Sequence, residues 1–191
     1  MERVLQDRRC YQLLERIDGE RADAVRRGGC RRCGRRLHRA DYERKPRGGP
    51  ADVLDRWDRR ASYCCEREGC RKRHTPPSVR FLGRKVYLGV VVVLVAAMMH
   101  GPNGRRVAQL RDALGIDTRT LKRWRQWWRE HFVRSAFWKA RRSRFMPVLD
   151  ETLMPFCLSQ AFGADRRTGR IKLMEFLGPI TTDSCLEAVA M

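Results

Sequence analysis

Cys30-Arg31-Arg32-Cys33-Gly34 and Tyr63-Cys64-Cys65-Glu66-Arg67-Glu68-Gly69-Cys70 are the two stretches on which the reading of this chain turns. A C-x-x-C pair followed by glycine lets two thiolates grip one metal ion from a tight turn, and the glycine lets the backbone curl so that amides point at the sulfurs. The second half-site is either Cys65-x4-Cys70 or Cys64-x5-Cys70. Alternation along an entering strand turns Tyr63 and Cys65 to the same face, which favours Cys65. Two pairs about 30 residues apart suit a tetrahedral zinc ribbon, with Cys30, Cys33, Cys65 and Cys70 as ligands of a structural Zn2+. Buried free thiols are the plainer alternative. His38 and His74 are spare ligand candidates, read here as surface or phosphate-contacting side chains, and Cys10, Cys157 and Cys185 have no partner at useful spacing.

Working outward, residues 29–82 form the expected ribbon segment, with the Pro- and Gly-rich stretch Lys45–Pro50 as the loop between half-sites and Pro76-Pro77 near its end. A site closed by four thiolates has no open position for water or substrate, so its role is to fold the chain. In so short a segment the metal replaces a hydrophobic core.

The second informative stretch runs from Val107 to Glu130, VAQLRDALGIDTRTLKRWRQWWRE. Val107, Leu110 and Leu114 share one helical face, Gly115 ends the first helix, and Asp117 caps a second. Leu121, Trp124 and Trp128 repeat the i, i+3, i+7 pattern and face the core. The remaining face carries Arg119, Lys122, Arg123 and Gln126, with Thr118 and Thr120 in the first turn, and these six are the candidate DNA contacts. A solvated basic face on an ordinary helical hairpin would show the same charges. The Gly115 turn, the Asp117 cap and the matched apolar faces favour a helix-turn-helix over residues 84–134.

The apolar run Val86–Met99 is 14 residues long, short of the roughly 18 to 20 that span a bilayer. Its four consecutive valines favour a strand and its length a buried helix, and length arbitrates for helix. Residues 1–28 read as a charged helical arm, partner-facing or partly disordered, with a weak stripe of Leu5, Leu13, Leu14 and Ile17. Residues 135–191 read as a helical C-terminal tail broken by Pro147, Pro155 and Pro179. The fold class expected is mainly α with a small β zinc ribbon, followed by a tri-helical helix-turn-helix. The chain carries 42 Lys+Arg against 22 Asp+Glu, a net charge of +20, which points to a polyanionic partner such as double-stranded DNA. The charged amino terminus has no apolar signal region, so a cytoplasmic, nucleoid-associated protein with no membrane partner is expected, in a compartment where cysteine pairs hold metal.

The order of these parts resembles the amino-terminal region of bacterial insertion-sequence transposases and their associated proteins. The residues that carry it are CRRCG at 30–34, YCCEREGCRKRHTPPSVRF at 63–81 and LRDALGIDTRTLKRW at 110–124, within a span of about 30–134. The second pair is wider than C-x-x-C, and Arg111 stands where such motifs usually have alanine. The resemblance implies recognition of element ends, with a separate transposase catalytic subunit as a further partner. Such transposases continue into a nuclease domain with three metal-binding carboxylates on a mixed sheet. Residues 135–191 contain Asp150, Glu151, Asp165 and Asp183 but are too few to build that sheet. With no paired His-x-His and no Gly-rich phosphate loop either, no catalysis is expected. A transcriptional regulator with the same modules and a protein-interaction adaptor are the competing functions; the oligomeric state is not readable.

Overall fold

The computed structural model describes residues 5–54, 57–82, 87–98 and 104–182. Val86, Met99, Cys185 and Asp183 lie outside the described residues, as does the side chain of Leu110. Helices dominate, with two small antiparallel sheets.

Helix α1 (Arg8–Arg27) starts at Asp7, whose carboxylate accepts from the Cys10 amide. Its buried residues Cys10, Tyr11, Leu14, Asp18 and Ala22 recur every three or four positions, so one stripe is sealed while a largely charged surface stays in water. This differs from the expected partner-facing or disordered arm. The apolar stripe read from Leu5, Leu13, Leu14 and Ile17 is real, and it is covered by the protein itself. The expected tail is the cover. Arg170 donates to the Asp7 carboxylate at 2.8 Å across 163 residues of sequence.

Five short strands follow: β1 (Leu37–Arg39), β2 (Tyr42–Glu43), β3 (Arg59–Arg60), β4 (Tyr63–Cys65) and β5 (Arg73–His74), with the one-turn helix α2 (Ala51–Leu54) between β2 and β3. One sheet has the order β1-β4-β5, with Leu37 opposite Cys65 and Tyr63 opposite His74; the other pairs β2 with β3. The Pro/Gly loop ahead of α2 is docked rather than free. Pro46 and Gly48 are buried, and a side chain at Gly48 would strike Val91.

Val91 belongs to α3 (Gly89–Met98), the helix expected from the apolar run, in which every residue from Gly89 to Ala97 is buried. A helix apolar all round has to be enclosed on all sides, and that burial overrides the strand propensity of four valines. Later helices enclose it: α5 (Thr118–Gln126), α7 (Phe156–Ala161) and α8 (Arg167–Leu177) all pack against it. Among the described residues, no helix is long and apolar enough to cross a membrane.

Ahead of α5, α4 (Gly104–Leu114) ends at Gly115, which adopts φ +62° as its turn requires. The axis of α5 then runs on through a π-helical stretch, Trp127–Phe132. That wider turn brings Trp127 edge-on to the fully buried Trp128, 4.7 Å between ring centres. Helix α6 (Ala136–Lys139), capped by Ser135, carries Phe137 and Trp138 into the same core. A single core extends from Leu5 to Ile180, and a small second cluster gathers Ala22, Cys30, Leu37, Tyr63 and Cys65.

Asp18 joins the two regions. Its carboxylate accepts from the Ser78 hydroxyl at 2.5 Å, the Val79 amide at 2.7 Å and Arg80 Nε at 2.9 Å. Only 5% of Asp18 and 8% of Arg80 is exposed, so removing one partner strands a charge in the interior. The Ser78 amide in turn donates to Thr181 Oγ1. Asp18→Ala is expected to lower stability by about 3–5 kcal/mol in denaturant unfolding. A loss below about 1 kcal/mol would show that the buried pair does not hold these segments together.

Candidate metal centre and basic helix

The first half of the sulfur cluster follows directly on α1. Cys30 donates its amide to the Arg35 carbonyl and the Gly34 amide returns to the Cys30 carbonyl, both at 2.8 Å. Gly34, at φ +71°, closes this turn, in the role its position predicts. The second half begins where β4 ends. Along that strand Tyr63 and Cys65 are buried and Cys64 is turned partly outward. The Cys64 thiol donates to the Arg71 carbonyl instead. Cys70 sits in a turn closed by the Cys70 and Arg71 amides donating to the Arg67 carbonyl, both at 2.9 Å.

Cys30, Cys33, Cys65 and Cys70 converge, with their four sulfurs all within 4.8 Å of one another. Cys30 and Cys70 are 3.8 Å apart and Cys33 and Cys65 are 3.4 Å apart. Metal–sulfur bonds of about 2.3 Å arranged tetrahedrally place sulfurs about 3.8 Å apart, so the donor set fits one metal ion with little movement. The choice between Cys64 and Cys65 is thus resolved in favour of Cys65 by the pleat of β4.

Electrostatics at the cluster are uneven. Burial works to raise the Cys30 thiol, but the Arg32 amide, the His74 ring and the Cys33 amide outweigh it and bring the thiol well below its ordinary value. Cys65 is pushed far up, by burial first and then by the Cys33, Cys30 and Cys70 thiols around it. His74 Nε2 lies 3.3 Å from Cys30 Sγ. It is neither a fifth ligand of the compact set nor a free surface ring, but a neighbour that orients one sulfur. Sequence reading missed this because the pairing of β5 with β4, which places His74 opposite Tyr63, leaves no trace in cysteine spacing. His38 lies outside the cluster, against Glu66 at 3.5 Å.

The basic helix is α5. Asp117, in extended conformation, accepts from the Thr120 amide at 2.7 Å and from its hydroxyl at 3.2 Å. The Thr120 amide is the largest of the contacts holding the Asp117 carboxyl below the usual range. Leu121, Trp124 and Trp128 are buried as expected, with Trp124 edge-on to Tyr87 at 5.1 Å. Thr118, Arg119, Lys122, Arg123 and Gln126 are exposed. Thr120 is not. It is 5% exposed, and its hydroxyl is engaged by Asp117 and Arg123, so it leaves the expected contact set. Four residues advance a helix by only about 40° beyond a full turn, which puts Thr120 on the Trp124 side. Among the described residues no carboxylate pairs with Arg119 or Lys122, whereas Gln126 donates to Glu130 at 3.0 Å.

No family model, curated protein or solved structure matches the chain.

Thiols have to lose their protons to bind a metal ion, and Cys65, whose thiol burial pushes up, holds its proton most strongly against uptake. Titrating Zn2+ as probe ion into metal-free protein at pH 7 is expected to acidify a weakly buffered solution, and a proton-neutral titration would contradict the thiolate site. Cys64→Ser should leave metal content unchanged, Cys30→Ser should abolish tight binding, and His74→Ala should weaken it about 10- to 100-fold in chelator competition.

Proposed function

We propose that this protein is a non-catalytic, sequence-reading DNA-binding protein in which α4, the Gly115 turn and α5 act as a helix-turn-helix. Helix α5 enters the major groove. The observation that carries this reading is the two-sidedness of α5. Trp124 and the following Trp128 lock one side into the core, while Arg119, Lys122 and Arg123 stand exposed on the other. A rigid helix with arginine and lysine in its amino-terminal half has the chemistry that reaches guanine edges and phosphates. The Asp117 cap holds the first turn in register with that face.

The metal centre is read as a structural zinc ribbon. Four soft sulfur donors at tetrahedral spacing favour Zn2+ over ions that prefer oxygen, and a filled tetrahedron leaves no position for substrate. Its function is to tie together the small cluster whose buried apolar residues are Ala22, Cys30, Leu37, Tyr63 and Cys65. The order of ribbon and helix-turn-helix supports a place in transposition, recognising element ends beside a separate catalytic subunit.

Selection of bound duplexes from a random pool should return a defined sequence. Arg119→Ala and Lys122→Ala should each weaken binding to it, by about 1–3 kcal/mol where a side chain makes a bidentate base contact. Undiminished binding by both variants, or no enrichment from the pool, would remove α5 as the reading helix.

A further inference from the structure

The two turns that carry the sulfurs also carry a crown of cations. Arg31, Arg32, Arg35 and Arg36 are all exposed on the first turn, and Arg67, Arg71, Lys72 and Arg73 on the second and its outgoing strand. The turns are locked side by side. Their sulfurs meet within 4.8 Å. The Arg36 amide donates to the Glu66 carboxylate and the Glu66 amide to the Arg36 carbonyl.

Along residues 30–36 and 66–73 the two turns thus carry eight cations against two carboxylates, Glu66 and Glu68. Glu66 is already engaged by the Arg36 amide and His38. Four thiolates around a divalent ion add two negative charges, which leaves a surplus of about four positive charges. Among the described residues none of the eight forms an ion pair. A solvated surface usually intersperses both signs; here the sign is nearly uniform and the cations are mostly guanidinium groups, whose planar fork matches phosphate oxygens.

We infer that this crown is a second contact with duplex DNA, one that grips the phosphate backbone while α5 reads the bases. The inference rests on the DNA-binding reading above and adds to it a sequence-independent anchor on a different module. The composition of the first turn suits phosphate contact. Between and beside its cysteines, residues 30–36 contain only arginine and glycine, and none of the amide or carboxylate side chains that read adenine or cytosine edges. The metal has a further part here. An ion held by all four sulfurs would tighten the spacing of the cations that the Arg36–Glu66 bonds already set.

The test uses the full metal-loaded chain and two variants, R31Q/R32Q/K72Q/R73Q and R119A/K122A. Affinity for a selected duplex and for a scrambled one is measured by fluorescence anisotropy across salt concentrations, with metal content determined in parallel. The crown variant should keep its metal and bind both duplexes about tenfold or more weakly, to the same degree. Its slope of log affinity against log salt should shrink by about 2 to 4, at roughly 0.9 for each phosphate that is no longer neutralised. R119A/K122A should instead narrow the gap between the two duplexes. If the fourfold variant loses metal, R31Q/R32Q alone reads the slope, with an expected decrease of about 1 to 2. Unchanged affinity and slope in a metal-loaded crown variant would overturn the inference. So would unchanged duplex binding with abolished binding to poly-glutamate, which would assign the surface to an acidic protein. A normal gap between duplexes in R119A/K122A would sink the α5 reading while leaving the crown result to stand by itself.

Discussion

A buried carboxylate holds this molecule together. Asp18 sits in the middle of the first helix, yet its three bonds all go to Ser78, Val79 and Arg80, at the point where the cysteine-bearing segment gives way to the apolar helix α3. A charge in the interior is tolerated only when it is paired and its remaining lone pairs are occupied. Asp18 meets both conditions, and Arg80 extends the arrangement by lying over the Phe81 ring at 5.1 Å. The amino-terminal helix therefore has one position relative to the rest of the chain. The small sulfur-bearing cluster inherits that position, because Ala22, one turn beyond Asp18, is part of it.

The two regions are stabilised by different means. The larger one buries aromatic and aliphatic side chains in quantity, including a chain of ring contacts from Trp128 through Phe132 and Phe137 to Phe176. The smaller has sheets of two- and three-residue strands and a handful of buried side chains. Burial of that extent is little to fix a fold by itself, and a metal ion held by the four sulfurs would supply what is missing. The same economy explains the surface. A segment that needs few apolar residues can devote its turns to arginine.

Much of this was legible in the order of residues, and the unread parts share a cause. Cysteine spacing, the Gly34 and Gly115 turns, the Asp117 cap and the Leu121–Trp124–Trp128 face are local, and local rules found them. The run of valines was settled by length. Asp18 looks like any acid in a charged helix, since its partners are about sixty positions away. The helices at the two ends looked peripheral because each shows only half of the surface that they bury together. Thr120 was misplaced through its polar chemistry. A hydroxyl that caps and packs at once resembles, in sequence, one that faces water. The π turn at Trp127 depends on how two adjacent indoles share one core, which no periodicity encodes.

The contact between Asp7 and Arg170 bears on how the chain acquires its shape during synthesis. The first helix leaves the ribosome long before the residues that cover its apolar stripe, and the groups that join the ends are 163 positions apart. The sulfur-bearing segment closes over short loops and can organise early, whereas the long helical core waits for the helix that carries Arg170. Until then Leu14 and Tyr11 face solvent beside a strongly cationic surface, whose mutual repulsion between nascent copies works against their premature association.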